Sequence, residues 1–210
     1  MPTPLARLLE RAPQLAPCAG AIAGAYEAMR ACLEAGGKLL LCGNGGSGSD
    51  AEHWAGELLK GFLSRRPLRG QRREQLGEAL APHLQGGLPA IPLTGFLALR
   101  TAWLNDCEPD YLYAQLVSVL GRPGDLLVGI STSGNARNVC HALDAAARLG
   151  LDTVALTGRD GGRAATLARL AIRVPADEVH HIQELHLPVY HTLCLLLEEA
   201  FFPEKPDGEP

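Results

Sequence analysis

A doubly wound α/β fold, a five-stranded parallel sheet flanked by helices, is predicted by three features of this 210-residue chain. Short apolar runs recur along it, at Lys38–Cys42, Pro89–Thr94, Asp125–Ser131, Asp152–Thr157 and Leu170–Val174. Strands buried on both faces read as such near-continuous runs. Between them apolar residues return at helical spacing, giving the strand–helix alternation of a parallel sheet. Two of the runs end in glycine- and serine-rich turns, and folds of this kind bind ligands at the carboxyl ends of their strands.

Residues 4–12 are expected to form a short helix stopped by Pro13 and Pro17, and residues 18–35 a longer one ended by Gly36 and Gly37. After the first strand, Ser49 and Glu52 have the spacing of a capping box, which predicts a helix start near Ser49. Residues 63–88 are rich in Arg, Gly and Gln and read as a surface insertion with one helical turn near Glu78. Its arginines (65, 66, 69, 72 and 73) read as a solvated face. Prolines in the run at 89–94 place that strand at an edge. Helices are expected up to Leu104, over 111–120, after Asn135 to Gly150, and over 178–201. The chain reads as a single domain over 1–210, with a mobile acidic tail at 203–210.

A net charge of −4 gives no basic footprint for nucleic acid. No segment has the roughly 18 apolar residues of a membrane span. Six scattered cysteines with no C-x-x-C pair suit a reducing cytosol, so a cytoplasmic location is expected.

The stretch from Leu41 to Leu58 carries the densest chemistry. Gly43, Gly45 and Gly46 let the backbone approach a ligand closely. The following helix aims its first N–H groups at that loop, a place for an anion. On this helix His53 and Glu57 lie four apart, hence on one face. Gly43–Gly48 also satisfies G-x-G-x-x-G, but the second strand offers no acid for a ribose, and a dinucleotide reading leaves His53 and Glu57 idle. Ser131-Thr132-Ser133-Gly134-Asn135 follows a buried strand and offers three hydroxyls at a helix start, a phosphate cradle beyond a mere capping turn. On the last helix Gln183, Glu184, His186 and His191 form a polar set, in which His186 taken alone reads as a core histidine.

These motifs, in this order and with Leu156-Thr-Gly-x-Asp-Gly-Gly162, resemble those of the sedoheptulose-7-phosphate (phosphoheptose) isomerases of the sugar isomerase (SIS) domain superfamily. The likeness runs from about Cys18 to Phe201, apart from 63–88. It implies a single SIS domain and a homotetramer that uses its terminal helices in assembly, with a sugar phosphate as ligand. It also implies conversion of sedoheptulose 7-phosphate to D-glycero-D-manno-heptose 7-phosphate in bacterial heptose biosynthesis. Carried over by position, Asn44, Gly45, Gly46, Ser47, Asn105, Asp106 and Gln183 contact the sugar, and Ser131, Thr132 and Ser133 the phosphate. Glu57 and His191 are catalytic, and His53, Glu57, Gln183 and His191 hold zinc. Gln183 and His191 are eight residues apart, about 12 Å along a helix, which suggests a kink at Pro188 or ligands from a neighbouring subunit. The apolar residues of the last helix, Leu193–Leu197 and Ala200–Phe202, further suggest a partner surface. Three departures stand out: Ala136 replaces a phosphate-loop serine, with Arg137 beside it as a substitute; His180-His181 replaces an Asp-Arg pair; and the arginine-rich insertion is atypical. A second reading is a non-catalytic SIS relative that senses sugar phosphate or assists assembly. Such relatives lose the acid–base residues, whereas Glu57 and His191 are present here.

Overall fold

The apolar run after Gly37 forms β1 (Leu39–Gly43), every residue of it buried. It pairs in parallel with β2 (Ala90–Pro92) on one side and β3 (Leu126–Ser131) on the other. Then come β4 (Asp152–Thr157) and β5 (Leu170–Arg173), giving the all-parallel order β2-β1-β3-β4-β5. The computed structural model describes residues 3–203. The tail expected at 203–210 therefore falls, Pro203 apart, outside the described residues.

Alternation along the strands divides the core into two layers. Leu39 and Leu41 face α1 (Pro4–Arg11), α2 (Ala19–Glu34), α3 (Gly46–Leu59) and α9 (Val179–Phe201). Leu40 and Cys42 face α6 (Leu112–Leu120), α7 (Arg137–Arg148) and α8 (Gly162–Leu167). Asp125 fixes the start of β3 against β1: its carboxylate accepts the Lys38 backbone N–H (2.9 Å) and the Arg122 N–H (2.8 Å), and pairs with Lys38 Nζ. The chain leaves β1 for the β2 edge and returns to β3 on the other side. The turns after β1 and β3 thus flank the point where the winding reverses, the ligand position of this architecture.

Three sequence expectations are corrected. Helix α3 begins at Gly46, a turn earlier than the capping box implied. Gly45 adopts φ 53° and ψ −122°, open to glycine, and this starts the helix at once; Ser49 donates to the Gly45 carbonyl and caps nothing. The insertion holds more helix than one turn: α4 runs Gly70–Leu80, broken at Gly77 (φ 69°). Nor are its arginines all solvated.

Arg66 is 1% exposed. Its guanidinium donates to Glu198 Oε1 (2.7 Å), to the Leu58 carbonyl (2.8 Å) and to the Glu57 carbonyl (3.3 Å). Glu198 also accepts the backbone N–H groups of Phe62, Leu63 and Ser64. Burial alone would raise this carboxyl, but those donors together hold it below the usual carboxylate range. A backbone bond from Gly86 N to the Arg66 carbonyl (2.6 Å) and the Pro67–Gln85 bridge pinch off the excursion between them. The C-terminal helix α9 spends most of its apolar residues inside the chain: Leu193, Cys194 and Leu197 are buried, against α1, α2 and α3. Helix α5 (Leu97–Asp106) has no buried residue: Leu99 packs against the second core layer while Leu97 and Leu104 are exposed.

His186 lies wholly inside α9's packing, and neither ring nitrogen has a hydrogen-bond partner. Burial pushes it down to about 4 from an ordinary 6.5, with the Thr157 backbone opposing weakly. Because the folded chain resists protonation there, stability present above pH 6.5 is lost as pH falls toward 4, by about 3 kcal/mol in all. His186→Leu should leave urea stability at pH 7 nearly unchanged and flatten its decline between those pH values. An unchanged decline would place the acid-sensitive group elsewhere.

Candidate active site

The turn after β1 forms the floor of a cleft of about 720 Å³, lined by Gly43, Asn44, Gly45, Arg100, Asp110 and Asn138 among others. Two glycines here are closely approached, Gly43 by backbone and Gly46 by the end of a side chain. A Cβ on Gly43 would stand 2.4 Å from the Ser47 carbonyl oxygen, and one on Gly46 would stand 2.4 Å from Gln183 Nε2. The opposite wall is the far half of the second loop, Asn135 to Asn138, ending at the start of α7. Ala136 at the start of α7 offers no capping side chain and Val139 N–H is taken by Asn138 Oδ1 (2.9 Å), which leaves the N–H groups of Arg137 and Asn138 for an anion. Asn44 and Asn138 exchange amide hydrogen bonds of 2.8 and 2.9 Å and clasp the two loops together. Tyr113 donates to the Gly43 carbonyl from beneath.

The expected substrate residues divide. Asn44 and Gly45 line the cleft, Gly46 meets Gln183, and Ser47 is buried under Gly43. Ser131 is buried, its hydroxyl accepting the Ala136 N–H at 3.5 Å. Ser133 is exposed and accepts the Asn135 N–H. Thr132 spends its carbonyl on the Gly158 N–H, binding this loop to the turn after β4. Asn105 and Asp106 are exposed at the end of α5, bonded to each other at 2.7 Å and off the cleft wall. Arg137 lines the cleft but is paired with Asp110 at 2.8 Å.

On an adjoining face of α3 a second constellation forms against α9. His53 Nε2 stands 3.2 Å from Glu57 Oε1, and the His53 and His191 rings meet edge to face at 5.1 Å. Lys60 Nζ stands 3.5 Å from the other Glu57 oxygen. The single Tyr190 O–H proton is shared between Asp50 Oδ1 (3.3 Å) and His53 Nδ1 (3.0 Å), and with Nδ1 as acceptor the His53 Nε2–H donates to Glu57. Tyr190 and Asp50 are functional candidates that no motif flagged; Tyr190 reads as one more core aromatic of a leucine-rich helix. His191 is half-buried, and its Nε2 has no partner. Burial first, then the His53 charge, push His191 below its ordinary value, with Glu57 opposing, so it is a neutral imidazole at pH 7.

Imidazole, carboxylate, imidazole is a donor set suited to zinc, and His53, Glu57 and His191 supply it. They are not closed upon one point: among the described residues, only Glu178, His180 and His181 bring three His, Cys, Asp or Glu ligand atoms within 4.8 Å of one another. Gln183 lies against Gly46, eight residues and about 12 Å of helix rise before His191 on α9, which carries Pro188 between them. Neither Glu57 nor His191 lines the cleft.

Residues 5–73 and 75–158 match the SIS domain family model. Over 187 residues the chain is 42% identical to the phosphoheptose isomerase of Rhodospirillum rubrum, covering 89% of each. Two solved phosphoheptose isomerases superpose over 86% of both chains: that of Neisseria gonorrhoeae at 36% identity and TM-score 0.72, and that of Francisella tularensis at 37% and 0.73. The chain belongs to the SIS domain family and, within it, to the phosphoheptose isomerases.

Proposed function

We propose that this protein is an aldose–ketose isomerase that converts sedoheptulose 7-phosphate to D-glycero-D-manno-heptose 7-phosphate. The observation that carries this is the union of a phosphate-ready cleft with a carboxylate–imidazole pair on the same helix, α3. In this reading the loop from Ser131 and the start of α7 anchor the phosphate. Asn44 and the glycine turn hold the sugar hydroxyls, so binding energy far from the reacting carbons positions them. Glu57 takes the carbon-bound proton at C1 and returns it to C2 through a cis-enediol. The neutral His191 accepts and returns the oxygen-bound proton. The non-catalytic alternative leaves the Asp50–Tyr190–His53–Glu57 chain without a task.

Ser49 and Glu52 of α3 line the cleft while Glu57 and His191 do not, so the pair stands beside the cleft and not in it. We assign the missing half to a second copy, in a homotetramer. The uncovered α5, which carries Asn105 and Asp106 beside the cleft, supports this: a neighbouring subunit would bury its apolar residues. The number four comes from the likeness to the family. A zinc ion held by His53, Glu57 and His191, with Gln183 contributed from elsewhere in the assembly, would polarise the substrate carbonyl. Glu57 then serves either as ligand or as base at any one moment.

Incubation with sedoheptulose 7-phosphate should yield the aldose by NMR; absence of turnover with or without added zinc would refute the reading. Glu57→Gln should lower kcat by about 10²–10⁴-fold with the fold intact. Wild-type exchange of the substrate's C1 hydrogen with solvent in that variant would remove Glu57 as base. Tyr190→Phe, which frees His53 Nδ1, should weaken zinc about 10–100-fold in competition with a chromophoric chelator. An unchanged affinity would exclude His53 as a ligand.

A further inference from the structure

The insertion encloses a second cleft, of about 470 Å³, between its base and the end of α9. It shares no lining residue with the cleft at the sheet's carboxyl ends. Arg65, Arg69 and Arg72 line it, with no Asp or Glu among its described lining residues. Among the described residues these three arginines have no carboxylate partner, whereas Arg73 on the same helix pairs with Glu78 at 2.8 Å. Arg66, fully buried and tied to Glu198, forms the floor, its guanidinium 4.8 Å over the Phe202 ring. The floor is held by backbone: Arg66 sits at φ 43°, and its carbonyl is bonded to the Gly86 N–H. Phe201, Phe202 and Leu68 supply an apolar wall.

We propose that this cleft binds a small molecule carrying a diphosphate, at a site separate from the isomerase centre. Three unpaired guanidiniums around one concavity repel one another, and an anion relieves that repulsion. Guanidinium planes match phosphate oxygens in bidentate fashion, so two linked phosphates answer three arginines better than a single carboxylate does. The volume lies in the range of small-molecule sites, about 300–1,000 Å³, and the apolar wall gives the uncharged part of the ligand a surface. Arg66 links this cleft to the isomerase centre, since it also holds the Glu57 and Leu58 carbonyls at the end of α3.

The test is calorimetric titration of the full chain with inorganic pyrophosphate at low salt, with the sugar-phosphate substrate present at saturation. One pyrophosphate per chain is expected. The double variant Arg69→Glu with Arg72→Glu should weaken it by at least about 10²-fold, the loss of two charge-assisted contacts. Its kcat and KM for the sugar phosphate should stay at wild-type values. Four results would overturn the proposal: no binding to the wild-type chain; binding unchanged in the double variant; binding abolished by saturating substrate, which would place the anion in the isomerase cleft; or binding only after removal of residues 204–210, which would make that acidic segment the occupant.

Discussion

The close approach of backbone at Gly43 and Gly46 is the constraint on which the site depends. With Ser47 folded over Gly43 and Gln183 against Gly46, α3 leaves the sheet at once and runs alongside α9. That registry sets Trp54 on Tyr190 (ring centroids 5.4 Å apart) and His53 beside His191. A larger side chain at Gly43 would push against the Ser47 backbone and tilt α3, whereas one at Gly46 would displace the Gln183 amide. The far end of α3 is fixed separately, by the Arg66 guanidinium on the Glu57 and Leu58 carbonyls. A buried charge pair of this kind is costly to break from one side, since the survivor is left buried and unpaired. The helix that carries Glu57 is therefore pinned at both ends.

The sheet was legible because its strands are short apolar runs with nothing else to become. The edge position of β2 followed from prolines that cannot serve a central ladder. The start of α3 was misplaced because a capping box is a local rule, and the glycine at position 45 offers a route into the helix without it. Arg66 was misjudged for a different reason. Its partner Glu198 is 132 residues away, and no local pattern separates this paired, buried arginine from the exposed Arg65, Arg69 and Arg72. The i, i+4 spacing of His53 and Glu57 led directly to their contact, but their relation to Tyr190 and Asp50 depends on how α3 packs on α9. The apolar residues of α9 divide: Leu193, Cys194 and Leu197 pack inside the chain, where α9 meets α1, α2 and α3, while Leu195, Leu196, Phe201 and Phe202 stay half-buried, a division that hydrophobicity alone does not specify.

Two half-sites on one helix explain why so much of the motif content is unsatisfied within a single chain. In the proposed function the loops after β1 and β3 receive phosphate and hydroxyls, and the α3–α9 seam, where His53 meets Glu57 and His191 Nε2 has no partner, moves the protons. Placed together, they meet the needs of an enediol isomerase. In the homotetramer proposed above, assembly of subunits is what would join them.

Subunit complementation tests that claim most directly. Two variants, Glu57→Gln and a cleft variant such as Asn44→Ala with Ser133→Ala, are each to be assayed alone, then after mixing, dissociation and reassembly. If the cleft of one chain works with Glu57 of another, each pure variant is nearly inactive and the mixed assembly recovers about a quarter of wild-type activity, the share of sites that receive two intact halves. A mixed assembly no more active than its parents would contradict the account and return the whole site to one chain.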